Sequence, residues 1–164
     1  MNELFSLKGS LAIVTGAANG NGKQIALGLK KAGSDVIGVD ICFEDLNCDI
    51  DQFEGDILDK KVIEKIKSEI SKKEFLKLVL VNNAGVTFPF EGIYPVDKWN
   101  KTIEINLTAP FLWIENLKDD FEKINSGSII NITSLAAERA FPNNPAYIAS
   151  KSGLKMLTKY YANY

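Results

Sequence analysis

The stretch Leu11-Ala12-Ile13-Val14-Thr15-Gly16-Ala17-Ala18-Asn19-Gly20-Asn21-Gly22 decides the fold. Its first residues, apolar as far as Thr15, read as a short buried strand that Gly16 stops. From Lys23 to Ala32 the pattern is helical. Ile25, Ala26, Leu29 and Ala32 share one face, Lys23, Gln24, Lys30 and Lys31 take the other, and Gly33 is placed to end the helix. A strand that passes through a glycine-rich turn directly into a helix suits phosphate binding. One glycine permits the tight turn, one lets backbone approach a pyrophosphate, and one lets the helix lie close on the sheet. The helix N-terminus adds N–H groups and a partial positive charge. Gly16, Asn19, Gly20, Asn21 and Gly22 are therefore candidate phosphate contacts, although such a turn alone also fits an ordinary strand–helix connection.

Working outward, Val36 to Val39 is a second buried run, closed by Asp40. A weaker strand is expected near Phe53 to Ile57. Asp59 is a candidate N-cap for a helix with Val62, Ile63, Ile66 and Ile70 in register. Leu78-Val79-Leu80-Val81 reads as a third clear strand and Ile129-Ile130-Asn131-Ile132 as a fourth. Strands alternating with amphipathic helices predict an α/β fold, a doubly wound parallel sheet covered on both faces. The connection from Asp40 to Asp56 is short and is expected to hold at most one turn of helix. Asp40, at the end of its strand, is placed to accept hydrogen bonds from an adenosine ribose. Its charge would repel a 2′-phosphate and Ile41 offers no compensating cation, so the reading favours NAD over NADP.

Composition bounds the remaining classes. The 164 residues suit one domain spanning 1–164, and 46% hydrophobic residues fill one core. Nineteen basic against 21 acidic residues leave a net charge of −2, which argues against a nucleic-acid partner. No apolar run approaches the roughly 20 residues of a membrane span. Met1 to Lys8 lacks the features of a secretory signal, so the expected location is cytoplasmic. With no histidine in the chain, a Ser-His-Asp triad is excluded and a zinc site would need other ligands. Cys42 and Cys48 are expected to be reduced thiols in that compartment. Asn106-Leu107-Thr108 and Asn131-Ile132-Thr133 match the glycosylation pattern but fall on elements expected to be buried.

Thr15-Gly16-x-x-x-Gly20-x-Gly22, Asn82-Asn83-Ala84-Gly85, Asn106, Ser134 and Tyr147-Ile148-Ala149-Ser150-Lys151, taken in order, resemble the short-chain dehydrogenase/reductase family. The resemblance implies an NAD(P)-binding Rossmann fold and oxidoreduction of an alcohol or ketone substrate. It makes Tyr147 the acid/base, Lys151 an electrostatic and ribose anchor, Ser134 the group that orients substrate, and Asn106 the holder of a proton-relay water. It also implies that Asp56 and Ile57 flank the adenine and that Asn82, Ala84 and Gly85 lie along the cofactor. Asn21 stands where the family usually carries an aliphatic residue.

The residues themselves support this chemistry. A free phenol, with a pKa near 10, is only about 0.1% ionised at neutral pH. Asn144-Pro145 reads as an N-cap followed by proline at the first helical position, which puts Tyr147 in the first turn, where the dipole favours an anion. Lys151 falls one turn later on the same face, and a cation at that range lowers an acid's pKa by roughly 1–3 units. Ser134 follows the strand Ser128 to Thr133, at the carboxyl edge where open α/β sheets bind ligands. Trp99, Ile103, Asn106, Pro110, Trp113, Leu117 and Phe121 keep helical spacing, so Asn106 interrupts an apolar stripe. Pro110 lacks the N–H that would reach the Asn106 carbonyl, which predicts a kink and a free carbonyl there. The alternative is a kinked helix whose Asn caps its own backbone.

Members of the family continue beyond the helix that carries Tyr147 and Lys151. The expectation is therefore a sheet incomplete at its C-terminal edge, with the Ser128 to Thr133 strand exposed, and a chain that is a fragment, a truncated product or part of a longer protein. The helices around 97–124 and 145–162 are expected to pair in a homodimer or homotetramer. The rival reading is a non-catalytic nucleotide-binding or interaction fragment.

Overall fold

The computed structural model describes residues 5–44 and 49–163. Five parallel strands form one sheet in the order β3-β2-β1-β4-β5: β1 Ser10–Thr15, β2 Asp35–Asp40, β3 Asp51–Glu54, β4 Lys77–Asn82 and β5 Gly127–Asn131. The alternation of β1 explains the layering. Leu11 and Ile13 join Leu78, Leu80, Ile37 and Val39 on one face, where helix α2 (Lys60–Ile70) and helix α4 (Ala109–Ile124) deliver Ile63, Ile66, Trp113 and Leu117. Ala12 and Val14 face the other way, against Ala26, Ile25 and Leu29 of helix α1 (Gly20–Lys31). The fully buried Trp113 donates its indole N–H to Ile57 O at 2.9 Å, so the largest core side chain also leaves no polar atom unsatisfied.

Two helices complete the front of the sheet. Helix α3 (Val96–Ile103) runs through a π turn, Glu104–Thr108, into α4. Helix α5 (Pro145–Tyr161) packs beside that break. Asp59 caps α2 as expected, accepting from Lys61 N–H at 2.9 Å. Strand order reverses between β1 and β4, which opens a crevice at their carboxyl ends.

Several boundaries differ from the sequence reading for local reasons. The weak strand expected at Phe53 to Ile57 is Asp51–Glu54, because Gly55 N–H turns back to Asp40 O and Asp56 begins the turn into α2. Helix α1 begins at Gly20 rather than Lys23. The expected kink at Asn106 is a π turn, in which Ala109 N–H reaches Glu104 O. The extra residue advances the helical phase by about 100°. Upstream of it Thr102 is the buried position, while Trp99, expected in the stripe, is exposed. Residues 41–44 and 49–50 hold no helix; residues 45–48, including Cys48, lie outside the described residues, and Cys42 is a free, exposed thiol.

Among the described residues β5 is an edge strand of the sheet, paired only with β4. Ile130 is 44% exposed on that edge. A groove of about 500 Å³ runs along β5 between α4 and α5, lined by Ile114, Phe121, Ile129, Thr158 and Tyr161. Among the described residues no helix is long and apolar enough to cross a membrane.

Candidate active site

The glycine turn is shaped by close packing. Gly16 has φ +68°, and a Cβ there would sit 2.8 Å from Ala84 Cα. At Gly22 a Cβ would fall 1.9 Å from Gly16 O and 2.4 Å from Asn83 Nδ2, so that position admits glycine alone. Gly20 differs: its φ is +52°, yet a Cβ would meet nothing within 4 Å. The turn therefore closes on the protein at Gly16 and Gly22 and faces open space at Gly20. Asn19, Gly20 and Asn21 are exposed, and Asn19 places no side-chain cap on α1. A helix N-terminus without a side-chain cap, beside an open glycine, has the donors and the room that a pyrophosphate requires. On those observations the turn fits a dinucleotide.

The loop after β4 braces this turn. Asn83 Nδ2 donates to Thr15 O and Gly16 O, both at 3.1 Å, while Thr15 Oγ1 accepts from Asn83 N–H and Ala84 N–H. Asn82 points the other way, donating to Asn131 Oδ1 at 2.8 Å, directly across the β4–β5 register. Asp40 holds the turn from the β2 side, its Oδ2 accepting from Ala18 N–H at 2.9 Å and its Oδ1 from Ile41 N–H at 2.7 Å. The carboxylate is thus at the rim of the crevice and oriented by backbone. Asp56 accepts from Leu58 N–H. The Ile57 side chain is buried in the core.

Lys151, Asn106 and Gly85 converge beyond the end of β4. A Cβ on Gly85 would stand 3.3 Å from Asn106 Oδ1 and 3.5 Å from Lys151 Nζ, so the missing side chain leaves the space between them. Asn106, fully buried, clasps the backbone of Val86: Oδ1 accepts from Val86 N–H at 2.8 Å and Nδ2 donates to Val86 O at 2.9 Å. Nδ2 also donates to Ser150 Oγ at 3.2 Å, and Ser150 Oγ donates to Tyr147 O at 2.8 Å.

Tyr147 lies in the first turn of α5 and is half-buried. Lys151 Nζ is 5.8 Å from the centroid of its ring. Lys151 is 4% exposed, and its amine donates to Ile132 O at 2.7 Å, just past β5. Burial pushes its ammonium down from the ordinary 10.5 to about 8. Asn144 does not cap α5 with its side chain as expected; its amide donates to Thr87 Oγ1 at 2.7 Å instead, and Pro145 opens the helix. Ser134 N-caps the 3₁₀ turn Leu135–Ala137, accepting from Ala136 N–H at 3.1 Å. Its one proton is not used in that bond.

A parallel sheet whose strand order reverses beside a glycine-rich turn is the architecture of a dinucleotide-binding domain. The short chain dehydrogenase family matches residues 10–163, and the chain belongs to that family. It is similar to the 5-keto-D-gluconate 5-reductase of Escherichia coli (strain K12), with 34% identity over 97% of this chain and 67% of that protein. The 2-dehydro-3-deoxy-D-gluconate 5-dehydrogenase of Pseudoalteromonas atlantica is also 34% identical, over 99% of this chain and 69% of that one. Among solved structures, an NAD(P)-dependent gluconate 5-dehydrogenase from Beutenbergia cavernae, with NADP bound at low occupancy, superposes with a TM-score of 0.84. Its identity is 27%, over 97% of this chain and 68% of that one. The chain thus spans about two thirds of the length of these relatives. It is an NAD(P)-dependent oxidoreductase acting on a small-molecule substrate.

Sequence reasoning quoted Asn83, Thr15 and Ser150 within motifs but gave them no role of their own. The doubled asparagine after an apolar strand is the available signal for the first. Ser150 shows only as a serine on a buried face, since its partner lies 44 residues away.

Proposed function

We propose that this chain carries the site of an NAD-linked dehydrogenase or reductase that interconverts a hydroxyl and a carbonyl on a polyhydroxy acid or related polyol. The observation that carries this reading is the convergence of Lys151 and Asn106 on the space left by Gly85, past the end of β4, with the Tyr147 ring centroid 5.8 Å from the Lys151 amine. Nicotinamide, when bound, supplies the hydride acceptor or donor. The chain's own residues handle the proton. The Tyr147 hydroxyl takes it from the substrate alcohol or returns it to the ketone. Lys151, one helical turn away in a dry setting, places its amine 5.8 Å from the centre of the Tyr147 ring. The Ser134 proton donates to the substrate oxygen as charge develops there. Asn106 and Gly85 border the space for a relay water next to Lys151. Gly16, Asn19, Gly20, Asn21 and Gly22 hold the pyrophosphate, with Ala84 and Gly85 along the rest of the dinucleotide and Asp56 beside its adenine, while Asn82 braces β4 against β5.

NAD is favoured over NADP because Asp40, fixed at the rim by two backbone donors, offers a carboxylate where a ribose 2′-oxygen would sit, and Ile41 beside it is no cation. The sugar-acid names of the relatives support the substrate class. A homodimer through α4 and α5 is favoured by the apolar surface that Leu107, Phe111, Met156, Leu157 and Tyr160 form between them. The test is NADH and NADPH binding by fluorescence, with turnover on a panel of gluconate, 5-ketogluconate, glycerol and simple secondary alcohols. NADH is expected to bind more tightly than NADPH, and Asp40→Ala to narrow that gap. Equal binding of both in wild type and variant contradicts the cofactor assignment, and turnover confined to simple alcohols contradicts the substrate class.

A further inference from the structure

We propose that Ser150 is a positioning residue, which holds the Tyr147–Lys151 turn of α5 in register with Asn106 and so acts on the proton-transfer step. The inference rests on the roles given above to Tyr147 and Lys151. Ser150 is fully buried, and a buried hydroxyl must use its one proton and at least one lone pair. Its proton goes to Tyr147 O at 2.8 Å. A bond to a carbonyl three residues back is common for a helical serine and needs no function. The second bond is of another kind. Asn106 Nδ2 reaches Ser150 Oγ from the π turn, and because that oxygen already donates elsewhere, it can only accept.

The Asn106 amide is thereby fully used. Its oxygen takes Val86 N–H, one amide proton goes to Val86 O and the other to Ser150. With every polar atom committed, the amide has a single orientation, and three chain segments are tied at one point: the loop after β4, the π turn and the first turns of α5. The consequence reaches Lys151 through the backbone, since it follows Ser150 directly. Any slip of this turn draws Nζ away from Ile132 O and from the gap at Gly85. Among the described residues, the groups that face Nζ are the Ile132 carbonyl, the Tyr147 ring and Asn106 across the Gly85 gap, none of them a carboxylate.

The test uses the whole chain with Ser150→Ala. The expected result is a fall of about tenfold in kcat, as for a small misplacement of reacting groups, with KM and NADH affinity within about twofold. The Lys151 amine, followed by NMR at its Cε, titrates near 8 in the wild type and moves up toward 10.5 in the variant as water gains access. In an Asn106→Ala background the same change costs less than about twofold, because the two residues act as one unit. Ser150→Thr keeps the hydroxyl and restores the wild-type titration even where the added methyl lowers the melting temperature. Ser150→Ala with unchanged kcat and titration overturns the proposal. So do full additivity with Asn106→Ala, and identical titration of the Thr and Ala variants. The amine titration needs no substrate, so it judges Ser150 even where turnover by Tyr147→Phe overturns the roles assumed for the site.

Discussion

Lys151 carries its charge where charge is expensive. Its pKa is about 8 in the folded chain and 10.5 when exposed, so between those values the unfolded chain binds more protons. The burial cost is therefore complete below pH 8, shrinks as pH rises, and vanishes above 10.5. We expect folding stability to rise across that window by a contribution on the order of 3 kcal/mol. Lys151→Met should lack this rise. Urea unfolding at pH 7 and 10 on both chains checks it; parallel changes with pH contradict it. The glycines make a second expectation at this scale. Gly22→Ala drives a methyl into Gly16 O and should cost about 1–3 kcal/mol and abolish NADH binding. Gly20→Ala meets open space and pays only for its backbone angle, so it should be milder in both thermal melts and NADH titrations. Tyr147, Lys151 and Ser134 were singled out by the resemblance of their motifs to the family's, and periodicity added only that Tyr147 and Lys151 lie one turn apart on one helix. Asn83 and Ser150 were not singled out, because their partners are 44 to 68 residues distant and only folding brings them together.

At the scale of elements, α5 is pinned to the sheet by polar links at both ends. Lys151 reaches Ile132 O near its start, and Asn131 Nδ2 donates to Thr158 Oγ1 at 2.9 Å farther along. Asn131 also accepts from the buried Asn82, so one side chain joins β4, β5 and the helix. Asn131→Ala strands the Asn82 amide and should destabilise by about 1–3 kcal/mol, whereas Thr158→Val, on the partly exposed side, should cost less. Urea denaturation of the two variants decides the order. The strand runs and the α1 and α2 faces were readable from their periods. The π turn was visible only as a conflict, a proline four residues after a buried asparagine. Its outcome, an extra residue in the turn, depends on the clasp to Val86, which periodicity cannot encode.

For the whole molecule, the parallel sheet followed from alternating patterns, but the order β3-β2-β1-β4-β5 did not. That order comes from which apolar faces meet, a matter of crossover packing rather than local pattern. The surface shared by α4 and α5 leaves Phe111 42% and Met156 62% exposed. If a second copy covers it, Met156→Glu should shift the sedimentation coefficient to that of a monomer while leaving NADH binding intact. An unchanged coefficient contradicts pairing through this face.

The central claim is that the Tyr147 hydroxyl moves the proton that accompanies hydride transfer. Tyr147→Phe removes one oxygen and keeps the ring, so single-turnover absorbance at the NADH band, together with NADH binding by fluorescence, tests it directly. The account predicts normal binding and hydride transfer slowed by roughly 10²–10⁴-fold. Transfer at the wild-type rate would contradict it.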